Sequence, residues 1–214
     1  ACKACGRPIE IGRIEKMSKS KKNVIDPEDL LARYGADTAR LFCLFAAPPE
    51  RDLEWSDQGV EGSFRFLSRI VRLVEDQEAL LKYPLPPIPF PRLFAGHDLY
   101  RKAQQTIKRV TEDIEKEFHF NTSISAIMEH ANEMGRFELV GPADEADELR
   151  FAYSYAVETL LLLLSPFAPH LCEELWERLG RNGSIFRATW PTYDPAVITA
   201  EEIVVVVQVD GKVR

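Results

Sequence analysis

Residues 92–117 read RLFAGHDLYRKAQQTIKRVTEDIEKE, in which apolar side chains recur every three or four positions. These side chains would share one face of a helix, because an α-helix completes a turn in about 3.6 residues. The remaining positions are mostly charged or polar. The stretch therefore predicts a long amphipathic helix that packs one face against other helices. The apolar positions are Leu99, Ala103, Ile107, Val110 and Ile114.

Four other segments carry the same spacing or residues that start and stop helices. They are Ser56 to about Lys82, Asn121 or Thr122 to about Phe137, about Asp144 to Leu164, and Pro169 to Gly180. A proline-rich connector at residues 84–91 precedes the helix of residues 92–117. Helices joined by short links pack as antiparallel neighbours. The predicted fold class is therefore mainly α, a helical bundle.

A small α/β region is expected before the bundle. Isoleucines alternate at residues 9–14 as in a strand (Ile9, Ile11, Ile14), and a basic loop follows at residues 16–23. Asp26 is a natural N-cap with Pro27 at the first helical position, and Gly35 is expected to end that helix. A second helix is predicted over residues 36–47, before two prolines.

The end of the chain has the composition of a strand. Residues 203–209 are almost all β-branched, and the pair Asp210-Gly211 that follows is a strong hairpin signal. We interpret this segment as the first, truncated strand of a further domain. An unpaired strand edge would be prone to pairing between chains.

Composition excludes several classes of protein. The chain has 214 residues, of which 45% are hydrophobic, enough for a packed core and too many for wholesale disorder. No apolar run approaches the roughly 20 residues that span a bilayer, and no secretory signal is evident. Four cysteines do not make a disulfide scaffold at this length. We therefore expect a cytoplasmic protein with no membrane contact.

Charge is distributed unevenly along the chain. Residues 1–47 contain nine Lys+Arg and six Asp+Glu, a balance of +3, so the remainder must carry −7 − 3 = −10. Such a protein is not a general nucleic-acid binder, and a polyanion would be bound at a built site.

The sharpest local feature is the loop Lys16-Met17-Ser18-Lys19-Ser20. It offers ammonium groups and two hydroxyls on a loop that leads towards a helix N-terminus. Lysine binds phosphate as a flexible point charge, and such groups suit a pyrophosphate leaving group whose charge rises in the transition state. Taken alone, a lysine-rich stretch is more often a solvated basic loop.

The surrounding residues favour the functional interpretation. Residues 16–20 (KMSKS), 23–27 (NVIDP) and 34–42 (YGADTARLF) together resemble the catalytic-loop region of class I aminoacyl-tRNA synthetases. The rest resembles the bacterial leucyl-tRNA synthetases within that class. The matching stretches are 46–49 (AAPP), 53–55 (LEW), 59–62 (GVEG), 65–67 (RFL), 120–122 (FNT), 126–129 (AIME), 166–170 (PFAPH), 190–191 (WP), 205–209 (VVVQV) and 211–214 (GKVR).

The resemblance implies a division of the chain and a function. Residues 1–47 would end the catalytic domain, residues 48–180 would form an anticodon-binding-type helical bundle, and residues 181–214 would link to a further domain. The parent enzyme, expected to be a monomer, would activate leucine with ATP and Mg²⁺ and transfer it to tRNA(Leu). No cofactor is expected to be tightly bound by the segment, which lacks the rest of the active site and should be inactive alone.

The resemblance also implies roles for the loop residues. Lys19 and Lys16 are the expected catalytic residues, and Lys16, Met17, Ser18, Lys19 and Ser20 together would bind ATP. Lys22 departs from the family, which often has glycine there; it should stiffen the loop slightly and adds a charge.

The helix after Ser56 is the candidate RNA surface. At 100° per residue, Arg69 and Arg72 lie near 40° and −20° from Arg65, an arginine stripe that could follow a tRNA backbone. A solvated face with Glu61 paired to Arg65 is the equally weighted alternative. The opposite arc would be Phe64, Leu67, Ile70, Val71, Leu73 and Val74.

Other candidate sites are weaker. Cys2 and Cys5 are either half of a zinc knuckle or free thiols, because a structural zinc site needs four ligands. Cys43 and Cys172 are predicted to be core residues, and no metal site is predicted. Two alternatives remain: a segment of an isoleucyl- or valyl-tRNA synthetase, and a non-catalytic helical interaction module.

Overall fold

The computed structural model describes residues 5–8, 15–82, 96–141 and 145–198, and the backbone of 208–209 and 212–213. It is mainly α-helical, as predicted, and has two compact units, residues 1–35 and 36–214. The functional boundaries expected near residues 47 and 180 stay predictions. The strand expected at Ile9, Ile11 and Ile14, the residue Cys2 and the proline-rich connector lie outside the described residues.

The first unit contains a short 3₁₀ turn, Lys19–Lys21, and helix α1, Pro27–Tyr34. Asp26 caps α1, since its carboxylate accepts the Glu28 N–H at 2.9 Å. Gly35 follows with φ 80° and ψ 163°, a conformation open essentially to glycine alone. The predicted start and end of this helix are therefore confirmed.

The second unit is built from α2 to α9. Their bounds are α2 Ala36–Ala46, α3 Asp57–Glu75, α4 Glu78–Leu81, α5 His97–Glu117, α6 Phe120–Met134, α7 Ala146–Leu164, α8 Pro169–Arg178 and α9 Pro195–Ile198. The predicted amphipathic helix is α5, but it begins at His97 and not near residue 92, because Gly96 before it adopts a left-handed conformation (φ 85°). The apolar face of α5 packs against α6 and α7, with Ala103, Ile107 and Val110 fully buried.

The helix predicted from Ser56 to Lys82 is divided. Ser56 caps α3 as expected, because its hydroxyl accepts the Gly59 N–H at 3.1 Å. The helix ends at Glu75, and Gln77 has non-helical angles (φ −120°, ψ 15°) before α4 begins. Glu75 and Glu78, which lie on either side of the break, both pair with the guanidinium of Arg178 on α8.

The start of α6 was predicted at Asn121 or Thr122, which is wrong by one or two residues. Phe118 adopts a left-handed conformation (φ 52°), and the His119 N–H closes the end of α5 on the Asp113 carbonyl. The chain therefore turns early, and α6 begins at Phe120. The Thr122 hydroxyl lies inside the helix and donates to the His119 carbonyl at 2.8 Å, so it does not cap.

The end of α6 also differs from the prediction, which placed it near Phe137. The helix ends at Met134, and Gly135 to Phe137 form a turn.

The hairpin predicted around Asp210-Gly211 is confirmed by its two strands. Strand β1, Gln208–Val209, pairs antiparallel with β2, Lys212–Val213, with Gln208 opposite Val213. The rest of the predicted β-run, residues 203–207, lies outside the described residues, and pairing between chains stays a prediction.

Candidate functional site

The lysine loop, residues 16–23, is organised by hydrogen bonds among its own residues. The Ser18 hydroxyl accepts the Lys21 N–H at 3.3 Å and caps the 3₁₀ turn that carries Lys19. It also lies 3.2 Å from the Ser20 hydroxyl. The two serines therefore shape the turn, and Lys19 extends from its first position.

The lysines of the loop differ in their partners. The Lys21 ammonium lies 2.7 Å from the Glu15 carboxylate. Across the described parts of the chain, no carboxylate lies within ion-pair distance of Lys16, Lys19 or Lys22, all of which are exposed. Three cationic side chains of the loop are thus available for an anion, whereas Lys21 is already neutralised.

Lys22 stands at the position where the chain needs a left-handed residue. Its φ is 53° and its ψ is 35°, and its N–H bonds to the Lys19 carbonyl at 3.2 Å. Glycine adopts this conformation without the cost that a Cβ imposes, about 1–2 kcal/mol. The sequence departure at Lys22 therefore falls on a strained backbone position next to the candidate phosphate ligands.

The three predicted arginines line one groove of about 910 Å³. We name it the arginine groove and define it by Arg65, Arg69 and Arg72 together with Phe42, Trp55 and Phe66. Arg65 and Arg72 are exposed, while Arg69 is half-buried with its guanidinium 5.6 Å from the centroid of Phe66. Positive charge therefore borders an aromatic floor, although the carboxylate-bearing Glu54 also lines the groove.

The arginines are not paired with acids in the described residues. The predicted alternative, an ion pair between Glu61 and Arg65, is absent there, and neither Arg69 nor Arg72 has a carboxylate partner in the same ranges. The Nε atom of Arg69 is buried without a hydrogen-bond partner.

Sequence reasoning placed one phenylalanine on the wrong side of α3. Phe64, predicted on the buried arc, is 42% exposed, whereas Phe66 is 5% exposed and forms part of the groove. The two residues flank Arg65 at equal and opposite angles, so the helical angle alone could not decide which flank the neighbouring helices cover.

The groove depends on a close approach between α2 and α3. A Cβ built on Gly59 would lie 2.7 Å from the Phe42 ring, so glycine is needed for this contact. The Phe42 ring in turn meets Trp55 edge-on at 5.2 Å, and the Trp55 indole donates to Asp57 at 2.8 Å. These contacts hold the aromatic floor below the arginines.

Two polar residues of the 34–42 stretch connect α2 to α8, a role that the sequence did not reveal. The Asp37 carboxylate accepts the Leu171 N–H at 2.7 Å and lies 2.8 Å from the His170 ring. The Arg40 guanidinium donates twice to the Pro166 carbonyl, at 3.2 and 3.0 Å. Two separately matched stretches, 34–42 and 166–170, therefore meet.

The cysteine prediction is half wrong. Cys172 is fully buried, and burial raises the pKa of its thiol. Cys43, predicted to be a core residue, is exposed, because it lies on the face of α2 opposite the buried Leu41 and Phe42. Cys5 is exposed as well.

The described residues contain no group of three or more His, Cys, Asp or Glu residues arranged to hold a metal ion. Nor does any helix there combine the length and apolar character needed to cross a membrane.

Family models match both parts of the chain. Residues 97–214 match the anticodon-binding domain of tRNA ligase, and residues 10–56 match the tRNA synthetases of class I for I, L, M and V. Among solved structures, the chain is similar to Agrobacterium radiobacter K84 agnB2 LeuRS, crystallised in a ternary complex with tRNA and LeuAMS, with 33% sequence identity. That match has a TM-score of 0.74 and covers 93% of this chain and 25% of that one.

Curated relatives agree with this similarity. The chain is 51% identical to the leucine–tRNA ligase of Desulfatibacillum aliphaticivorans over its whole length, and 52% identical to that of Syntrophobacter fumaroxidans over 93% of its length. It spans 25% and 24% of these relatives, about a quarter of their length. The chain belongs to the anticodon-binding domain family of the tRNA ligases, and from end to end it corresponds to a segment of bacterial leucine–tRNA ligases.

Proposed function

We propose that the full-length protein carrying this segment activates leucine with ATP and transfers the leucyl group to tRNA(Leu). Its expected setting is the cytoplasm, and the parent is expected to act as a monomer with ATP and Mg²⁺ as substrate. The segment would supply the lysine loop and a tRNA-binding surface and would be inactive alone. The identity of about half of all residues to leucine–tRNA ligases supports this proposal.

The lysine loop would act on the triphosphate. In activation, a carboxylate oxygen of leucine attacks the α-phosphorus of ATP and forms the new P–O bond of leucyl-adenylate. The bond between the α-phosphorus and the bridging oxygen breaks, and pyrophosphate leaves. Negative charge on the leaving group rises as the bond breaks, and preorganised cations stabilise it. Lys19 and Lys16 fit this role because neither has a carboxylate partner in the described residues. Lys21 does not fit it, since Glu15 occupies its ammonium group.

The remaining loop residues would support the two lysines. Ser18 and Ser20 hold the turn from which Lys19 extends, and Met17 stands between Lys16 and the turn. Closing such a loop over ATP would be part of the catalytic cycle.

The arginine groove would contact the backbone of tRNA. Guanidinium groups bind phosphates with two parallel hydrogen bonds, and such contacts orient an RNA without reading its bases. Arg65 and Arg72, which are exposed and have no carboxylate partner among the described residues, are the main candidates, and the half-buried Arg69 is the third. Residues 48–214 have a net charge of −10, so RNA binding by this part of the chain would be confined to a local basic surface such as the arginine groove.

The single observation that carries the proposal is that Lys16 and Lys19 have no carboxylate partner among the described residues, in a chain about half identical to leucine–tRNA ligases. The test is amino-acid-dependent exchange of pyrophosphate into ATP by the full-length protein. Exchange with leucine, and far less with isoleucine or valine, is expected. Exchange that depends on isoleucine or valine would assign the segment to a different ligase. If no amino acid supported exchange, the remaining interpretation would be a non-catalytic helical module.

A further inference from the structure

One side chain of the lysine loop bonds to the backbone on both sides of Met17. The Asn23 Oδ1 atom accepts the Ser18 N–H at 2.8 Å, and its Nδ2 atom donates to the Lys16 carbonyl at 3.4 Å. The chain reverses at Lys22, whose left-handed conformation directly precedes Asn23. The Asn23 amide thus closes the base of the loop.

The two hydrogen bonds require an amide at this position. Ser18 N–H can only donate and the Lys16 carbonyl can only accept, so the bridging side chain must offer one acceptor and one donor. Rotating the amide by half a turn would set donor against donor and acceptor against acceptor. A carboxylate lacks the donor, and a methyl group lacks both.

The bridge fixes residues that lead into the site. Lys16 is one of the two catalytic candidates, and Ser18 is the cap of the turn that presents Lys19. Holding the backbone at residues 16 and 18 restricts where both lysines can place their ammonium groups. A small displacement of a charged group from its transition-state position costs rate more than binding.

We propose that Asn23 is a positioning residue for the activation step, acting mainly through the turn that presents Lys19 and without contacting the nucleotide. This inference rests on the proposed function of the loop. According to this proposal, Asn23 increases the rate of activation only when the lysine side chains are present.

The test is leucine-dependent ATP–pyrophosphate exchange by the full-length protein without tRNA, comparing Asn23→Ala, Lys19→Ala and the double variant. Asn132→Ala is the matched control, because Asn132 is an exposed asparagine on α6, far along the chain from the loop. We expect Asn23→Ala to lower kcat about tenfold or more while the KM for ATP changes less than about threefold. The thermal midpoint and the control should match the parent protein.

The double variant separates positioning from an independent effect. If Asn23 acts through Lys19, removing both side chains should lower kcat little further than Lys19→Ala alone, within about threefold. The inference would be overturned if the kcat of the double variant fell by the product of the two single-variant effects. It would also be overturned if Asn23→Ala had a normal kcat while Lys19→Ala was slow. If both single variants exchange normally, the proposed function of the loop fails as well.

Discussion

The Asp37 carboxylate of α2 caps helix α8 from a distance of 134 residues along the chain, accepting the Leu171 N–H at 2.7 Å. Leu171 is the third residue of α8, whose first N–H groups have no partner within the helix. The cap is therefore supplied by another helix. It fixes the start of α8 against the start of α2.

Asp37→Ala should destabilise the second unit by about 2 kcal/mol, since it removes a cap and leaves a partly buried donor unpaired. Urea unfolding followed by circular dichroism measures the change. Asp37→Asn is the matched variant: it retains an oxygen for Leu171 and should lose less. Equal stability of Asp37→Ala and the parent chain would show that the cap contributes nothing.

The close approach of α2 and α3 predicts opposite effects at two glycines of α3. Gly59→Ala should destabilise the chain by about 1–3 kcal/mol, because the new methyl group would meet the buried Phe42 ring at 2.7 Å. Gly62→Ala should stabilise it by about 0.5–1 kcal/mol, since nothing lies within 4 Å of the added atom and alanine favours the helix.

Urea midpoints of the two glycine variants test this geometry. A destabilised Gly62→Ala, or a Gly59→Ala as stable as the parent, would contradict the packing of α2 on α3.

His130 predicts a loss of stability in weak acid. Its ring is fully buried, Nε2 lies 3.0 Å from the Ala156 carbonyl, and burial lowers its pKa from 6.5 to about 4. Between pH 6.5 and about pH 4, His130 is therefore protonated in the unfolded chain but neutral in the folded chain. The contribution of neutral His130 to the free energy of unfolding is complete above pH 6.5 and is lost as the pH falls towards 4, on the order of 3 kcal/mol in all.

The measurement is the free energy of unfolding at pH 7, 5.5 and 4.5 for the parent chain and for His130→Gln. Glutamine does not titrate but can still donate to the Ala156 carbonyl. Its stability should fall less steeply with pH than that of the parent. Parallel curves for the two proteins would mean that His130 does not remain neutral in the fold.

The arginine groove predicts a specific salt dependence of tRNA binding. Arg65→Ala and Arg72→Ala should each weaken binding of the full-length protein to tRNA(Leu) and reduce the slope of log K against log salt by about 1. Arg136→Ala is the control, because Arg136 is an exposed arginine already paired with Glu133. Fluorescence titrations at several salt concentrations give the slopes. An unchanged slope in both groove variants would place the RNA elsewhere.

Local signals in the sequence predicted most of the helices and the loop. The caps at Asp26 and Ser56 and the apolar face of α5 are encoded within a few residues, so they could be found without knowing the fold. The hairpin near the end of the chain is of the same kind, since a turn pair and β-branched neighbours suffice to indicate it.

The rest depends on residues far apart in sequence. The helical positions of Phe64 and Phe66 are mirror images about Arg65, and the packing of the other helices on α3 decides which of the two is covered. Phe118 ends α5 in the left-handed conformation, which glycine usually adopts, so the capping residues in the sequence did not predict the start of α6. Asp37 looked like an acid in the first turn of α2, yet its partner is the start of α8.

The central claim is that Lys16 and Lys19, which have no acidic partner in the part of the chain that the structure describes, accelerate amino-acid activation. Leucine-dependent ATP–pyrophosphate exchange by Lys19→Ala in the full-length protein tests it most directly, beside Lys116→Ala as an exposed lysine paired with Glu112 on α5. The account predicts that Lys19→Ala lowers kcat by about a hundredfold or more, with an unchanged thermal midpoint. A Lys19→Ala protein that exchanges as fast as Lys116→Ala would contradict it.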